Sequence, residues 1–297
     1  MATLRELKGR IGSVASSEKI TGAMKMISSA KMHKAEGALQ RLVPFRSQIE
    51  TIIGNVLGSD AQFSSPIVTE PSEVRRLAVI VWGSDDGLCG AYNVNIFKHL
   101  AAYIKSLRKD LGNDFDIDII PVGRKIARAV TALADGSRIH VAEAPQGIDS
   151  KSDGAVVTEF MQSLEKDFLA KKYDRIDTLY MKFYTAGRQR PLASQLLPVQ
   201  PQTFAGTASQ ATGRPYLFEP SPNAIFNSVL PMFLMAVMQD IFTENRASEQ
   251  AARVMAMQAA NDNAKNLLDS LQLEYNKLRQ QSITSELLDI VGGQVRD

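Results

Sequence analysis

From Ser221-Pro222 to Gly292-Gly293 the chain offers a helix no strong stop. Serine followed by proline reads as an N-cap and a first helical position, and about 70 residues at 1.5 Å each make on the order of 100 Å of helix. An ordinary globular domain has no room for that length. Within it, Val254, Met257, Asn261, Ala264, Leu268, Leu271, Tyr275 and Leu278 recur in steps of three and four, a sustained heptad that requires a facing apolar seam.

The opening residues can supply that seam. Thr3 and Glu6 form an S/T-x-x-E capping box, and Leu4, Leu7, Ile11 and Val14 follow at helical spacing. After a phase slip the stripe is expected to continue through Ile20, Met24 and Ile27, then Leu39, Leu42, Ile49, Ile53 and Val56, until Gly58, Ser59 and Asp60 stop it. Pro44 is expected to bend this helix, because proline removes a backbone donor and clashes with the preceding turn. Two helices from opposite chain ends, 1–58 and 221–293, each with one stripe, wrap most economically as an antiparallel coiled coil. The competing reading is one long amphipathic helix laid on a core.

Residues 59–74 and 202–222 are belts rich in Ser, Thr, Gly and Pro. Between them, strand candidates at Leu77 to Trp82, Phe115 to Val122, Arg138 to Ala142 and Ile176 to Tyr184 alternate with helix candidates near 92–109, 124–135 and 152–170. That order implies a doubly wound, mostly parallel sheet over 75–202, with 194–201 as a further edge strand. The expected fold class is α/β: a long antiparallel coiled coil of N- and C-terminal helices with an inserted Rossmann-like domain.

Glycine turns after the first strand of such a domain are where phosphates bind. Here "VIVWGSDDGLCGAYN" (79–93) spells GxxxGxxG from Gly83, which lacks the GxGxxG fingerprint and has no Lys-Ser/Thr pair for a P-loop. Asp85 and Asp86 would repel a phosphate and satisfy helix N–H donors themselves. No nucleophile elbow, HExxH or clear acid/base pair appears; Asp116 and Asp118 alternate as solvent-facing strand residues do. Cys89 is the only cysteine, and His33, His99 and His140 are too scattered to pair as ligands, so neither a disulfide nor a metal or cofactor site is expected. The formal net charge of +2 gives no global pull toward nucleic acid or anionic lipid, although residues 1–34 hold seven basic and two acidic side chains. The longest strongly apolar run, 229–238, is about half a bilayer span, so membrane insertion is not expected.

"EKITGAMKMISSAKMHKAE" (18–36), the segment from Glu244 to Gly293 and the GLCG of the glycine loop together resemble the γ subunit of rotary F-type ATP synthase. The resemblance implies a non-catalytic central shaft, one copy per complex, turning inside three α and three β subunits and standing with ε on the membrane c-ring. It implies partner contacts at Met24 and Lys25 near the β lever and at Arg253, Arg279, Gln280 and Thr284 with a β catch loop. It further implies that Asp85, Asp86 and Cys89 belong to a loop that points to the lever. Seam packing remains an equal reading of Met24, and relatives commonly carry a basic residue at the position of Asp86. Toward the C-terminus the stripe turns polar at Ser282, Ser285 and Asp289, and the apolar tip Leu287, Leu288, Ile290 and Val291 is out of phase with Leu278. The resemblance supplies an αβ bearing for that tip. With Met1 present and no presequence, a bacterial protein on the cytoplasmic face of the inner membrane is expected. Two rival classes stand beside the shaft: a Rossmann-type nucleotide enzyme, and a coiled-coil scaffold whose basic helix binds nucleic acid.

Overall fold

A computed structural model describes residues 3–58, 63–134, 138–145, 147–149, 152–204 and 217–294, excepting the side chains of Thr203 and 289–294. The elements in chain order are α1 (Leu4–Leu57), β1 (Arg76–Trp82), α2 (Tyr92–Leu111), β2 (Asp116–Val122), α3 (Arg124–Val130), β3 (Ile139–Val141), α4 (Gly154–Leu169), β4 (Arg175–Thr185), β5 (Arg188–Leu197) and α5 (Pro222–Gln294). N- and C-terminal helices therefore flank a central, mostly parallel α/β sheet. By compactness the chain divides into a unit of Met1–Ser29 with Arg253–Asp297 and a unit of Ala30–Ala252. The inner parts of both long helices thus group with the sheet.

In the first unit, the reciprocal capping box forms: Thr3 N–H donates to Glu6 Oε2 at 2.8 Å and Glu6 N–H to Thr3 Oγ1 at 3.2 Å. The heptad is followed closely by burial. Val254, Met257, Asn261, Ala264, Leu268, Leu271, Tyr275 and Leu278 are buried or half-buried, and the phase carries on to Ser282. On α1 the outcome corrects the expected phase slip. Ile20 and Ile27 lie off the seam at 59% and 57% exposure, while Thr21, Gly22 and the buried Ser28 keep the phase begun at Leu4 and Leu7. Small side chains hold those positions because the seam there must admit an amide. Asn261 Nδ2 donates to the Glu18 carbonyl at 2.7 Å and lies where a Cβ on Gly22 would be 3.3 Å away.

In the second unit the sheet order is β3-β2-β1-β4-β5, parallel except for the antiparallel edge strand β5. Leu77, Val79 and Val81 of β1 face α2 and α3, joining Ile96, Leu100, Ile104 and Ile126 in one core. Ala78, Ile80 and Trp82 face the other way, into a core with Val157, Met161 and Leu164 of α4, Ile49, Ile53 and Val56 of α1, and Leu230, Leu234 and Phe242 of α5. Burial on both faces is what makes β1 an almost continuous apolar run. β5 begins at Arg188, earlier than the 194–201 segment suggested: charged residues alternate there, and Pro191, which cannot donate to a ladder, is tolerated on an edge.

Ser221 caps α5 as expected, accepting from Ala224 N–H at 3.2 Å. Both long helices remain single elements across Pro44 and Pro231. The belts at 59–74 and 202–222 fall partly outside the described residues, as do the side chains of Asp289, Ile290 and Val291. α5 does contain an 18-residue window with mean hydropathy 1.6, of which half is buried within the protein.

Candidate functional site

The glycines of the loop after β1 serve backbone contact. A Cβ on Gly83 would sit 2.4 Å from Ile126 Cβ, and one on Gly123, at φ +115°, would be 3.0 Å from Ser84 O. Loop and α3 are pressed together too closely for side chains. The polar groups then close on one another. Ser84 N–H donates to Asn93 Oδ1 at 3.1 Å, Asn93 Nδ2 donates to Ser84 Oγ at 2.7 Å, and Lys125 N–H donates to Ser84 O at 2.9 Å.

Asp85 accepts the N–H of Arg124, the first residue of α3, at 3.1 Å. The sequence correctly suggested a helix-capping carboxylate, but the helix is α3 and not the one that follows the loop. Arg124 also brings its guanidinium to 3.4 Å from Asp86 Oδ1 and 3.8 Å from Asp85 Oδ1. The acidic loop is therefore paired within the chain. Cys89 is 3% exposed, with Sγ 3.7 Å from Ser84 Oγ.

Strands β2 and β3 lie to one side of β1 and β4 to the other, so the winding reverses between β1 and β4. In doubly wound sheets the crevice beyond the strand ends at such a reversal is where ligands bind. Here α5 fills it. Asn245 Nδ2 donates to Gly83 O at 3.1 Å, and its Oδ1 accepts from Tyr92 Oη at 2.7 Å and from Met181 N–H at 3.5 Å. One turn on, Ser248 Oγ donates to Met181 O at 2.8 Å. The space left, lined by Trp82, Gly83, Asp85, Phe242 and Asn245 among others, is about 10 Å³. That is the volume of one water probe, far below the hundreds of cubic ångströms a nucleotide-sized ligand needs.

A partly buried polar cluster lies elsewhere in the same unit. Arg46 of α1 donates to Glu50 Oε1 at 2.7 Å and to Asp240 Oδ2 of α5 at 3.1 Å. Burial raises the pKa of Asp240 against the opposing pull of Arg46, and burial likewise raises that of Glu244.

Comparison with known proteins follows this geometry. The family model described as ATP synthase matches residues 3–295. The ATP synthase gamma chain of Phocaeicola vulgatus is 39% identical over 99% of this chain and 99% of its own, and that of Bacteroides fragilis is 39% identical with the same coverage. The chain belongs to the ATP synthase gamma chain family. A chain from the Euglena gracilis mitochondrial ATP synthase OSCP/F1/c-ring structure, at 18% identity, shares the fold with a TM-score of 0.62 over 98% of this chain and 93% of that one.

Of the contacts expected for a gamma chain, those at the C-terminal end lie at the surface: Arg279, Gln280 and Thr284 are exposed, and Thr284 Oγ1 donates back to Gln280 O at 2.9 Å. Met24 and Lys25 are half-buried beside the seam. Arg253, in contrast, is 6% exposed, and Asp85 is 8% exposed. With Cys89, these three are buried in the chain. Of the loop trio, Asp86 alone keeps a largely exposed side chain. Asn245 and Ser248 went unread in the sequence, because a polar pair on an apolar helix resembles its solvent face until the sheet it grips is known.

Proposed function

We propose that this gamma chain family member is the non-catalytic central shaft of an F-type ATP synthase, carrying rotation of a membrane c-ring to the catalytic β subunits. Its partners are three α and three β subunits around it and ε and the c-ring at its foot, one copy per complex, on the cytoplasmic face of a bacterial inner membrane. The observation that carries the reading is the filled crevice: where a related topology would hold a nucleotide, α5 holds the sheet with Asn245 and Ser248. Such a domain serves as a mount for a helix.

A shaft needs an interior that does not slip and an exterior that does not stick. Asn261 supports the first requirement: a heptad slip would strip its amide of the Glu18 carbonyl and bury it among apolar side chains, costing about 1–3 kcal/mol. Arg279, Gln280 and Thr284 suit the second, since exposed polar groups exchange hydrogen bonds with successive partners at about 1 kcal/mol each. Met24, Lys25 and Asp86 are proposed as further contacts of the turning surface.

The test is affinity purification of the tagged chain from native membranes. Recovery of α, β and ε with ATP hydrolysis activity is expected; recovery of none of them would refute the shaft reading.

A further inference from the structure

The hairpin formed by β4 and the edge strand β5 gathers positive charge that no ion pair among the described residues neutralises. The strand register places Lys182 directly opposite Arg190. Like charges facing each other across two strands repel and destabilise the pair. Tyr184 sits among them, with Lys182 Nζ 5.8 Å and the Arg188 guanidinium carbon 5.5 Å from its ring centroid. The ring orients the cations without cancelling their charge. Tyr184, Arg188 and Arg190 are exposed. Among the described residues, Lys182, Arg188 and Arg190 form no ion pair. Lys182 attracts the carboxylate of Glu244 on α5 but forms no salt bridge with it. At the other end of β4, Arg175 is held by Asp177 at 2.8 Å.

We propose that this hairpin docks a carboxylate-bearing face of another protein subunit, through Lys182, Arg188 and Arg190. The inference rests on the reading of the chain as part of a multisubunit complex. Pro191 withholds one backbone donor in the middle of the edge strand, which disfavours recognition by strand addition and leaves it to the side chains. Two guanidiniums in a fixed frame match planar carboxylates in two-point contacts. Three cations on one hairpin fall short of the clusters of about four to eight that hold a protein on anionic lipid. Leu192 adds an apolar neighbour on the Arg190 strand, as the rim of a protein interface does.

The test uses the assembled complex. Carbodiimide joins carboxylates to amines in direct contact, so complexes carrying the wild-type chain, with Lys182, or Arg190→Lys are treated and their joined peptides identified by mass spectrometry. A bond from position 182 or 190 to an Asp or Glu of another subunit is expected. The double variant Arg188→Glu/Arg190→Glu should lower retention of that subunit about tenfold at moderate salt, the scale of one close charge pair; Arg188→Gln/Arg190→Gln should do so more mildly, and both exposed variants should keep the wild-type circular dichroism. Bonds confined to the chain itself, or retention unchanged by charge reversal at every salt concentration, would overturn the proposal. So would charge reversal that abolishes flotation with phosphatidylserine vesicles while leaving every subunit in place, since lipid would then be the occupant. Failure of the wild-type chain to assemble at all is a separate result, which refutes the shaft reading and this docking surface with it.

Discussion

Replacing Asn245 by Ala should cost the protein more than a typical surface or even core-edge substitution. The side chain is buried and makes three contacts: it donates to Gly83 O and accepts from Tyr92 Oη and Met181 N–H. Tyr92 Oη keeps a second acceptor in the Asn245 backbone carbonyl at 3.1 Å, so its loss is partly covered. Gly83 O and Met181 N–H lose the amide's partnership in a space with room for about one water. Stranding a buried backbone group costs about 1–3 kcal/mol, so with two such groups Asn245→Ala should lose about 2–6 kcal/mol. Asn245→Asp retains both acceptor contacts but loses the donor to Gly83 O, and should fall between wild type and Ala. Urea unfolding followed by far-ultraviolet circular dichroism and by fluorescence of Trp82, the only tryptophan and the residue before Gly83, would measure this. A loss below about 0.5 kcal/mol for Ala would refute the account of α5 as the filling of the crevice. Stabilisation of the wild-type chain by magnesium and ATP would refute it from the other side.

Glu244 offers a pH test. Burial raises its folded-state pKa above the ordinary 4.5, so the folded protein binds more protons than the unfolded chain in that window, and stability falls as pH rises through it. Glu244→Gln should therefore gain on wild type progressively from about pH 4.5 upward; a stability difference independent of pH would contradict the raised pKa. Asn261→Leu should raise stability of the coil by about 1–2 kcal/mol while loosening its register, and engineered cysteine pairs should then crosslink in shifted as well as native combinations. Native crosslinks alone would show that the amide does not set register. Gln280→Ala should lower coupled ATP turnover a few-fold with no change in unfolding midpoint, because the side chain is exposed and its hydrogen bonds are about 1 kcal/mol each. Wild-type coupling would remove Gln280 from the turning surface.

The long helices, the heptad of α5 and the alternation of strands and helices were legible because periodicity reports burial directly. Where the reading followed apolar residues alone, it went astray. Ile20 and Ile27 looked like a continuing seam, yet the geometric phase held and passed through Thr21, Gly22 and Ser28, because a polar partner, Asn261, sat opposite. The glycine loop lacks both phosphate-binding signatures in its sequence, but the inward placement of Asp85 depended on an element outside the loop. Asp85 answers to Arg124, 39 residues on. Asn245 is 162 residues from Gly83, and no local pattern announces a pairing at that distance.

That last pairing has a consequence for how the domain can respond. A ligand-binding sheet of this winding has an occupancy, set by concentration, and it can exist loaded or empty. Here the occupant is a stretch of the same polypeptide, supplied one per crevice by covalent connection and not by concentration. The crevice that this topology elsewhere leaves to a ligand is given over to holding α5, so the sheet and that helix are joined by the connectivity of the chain itself.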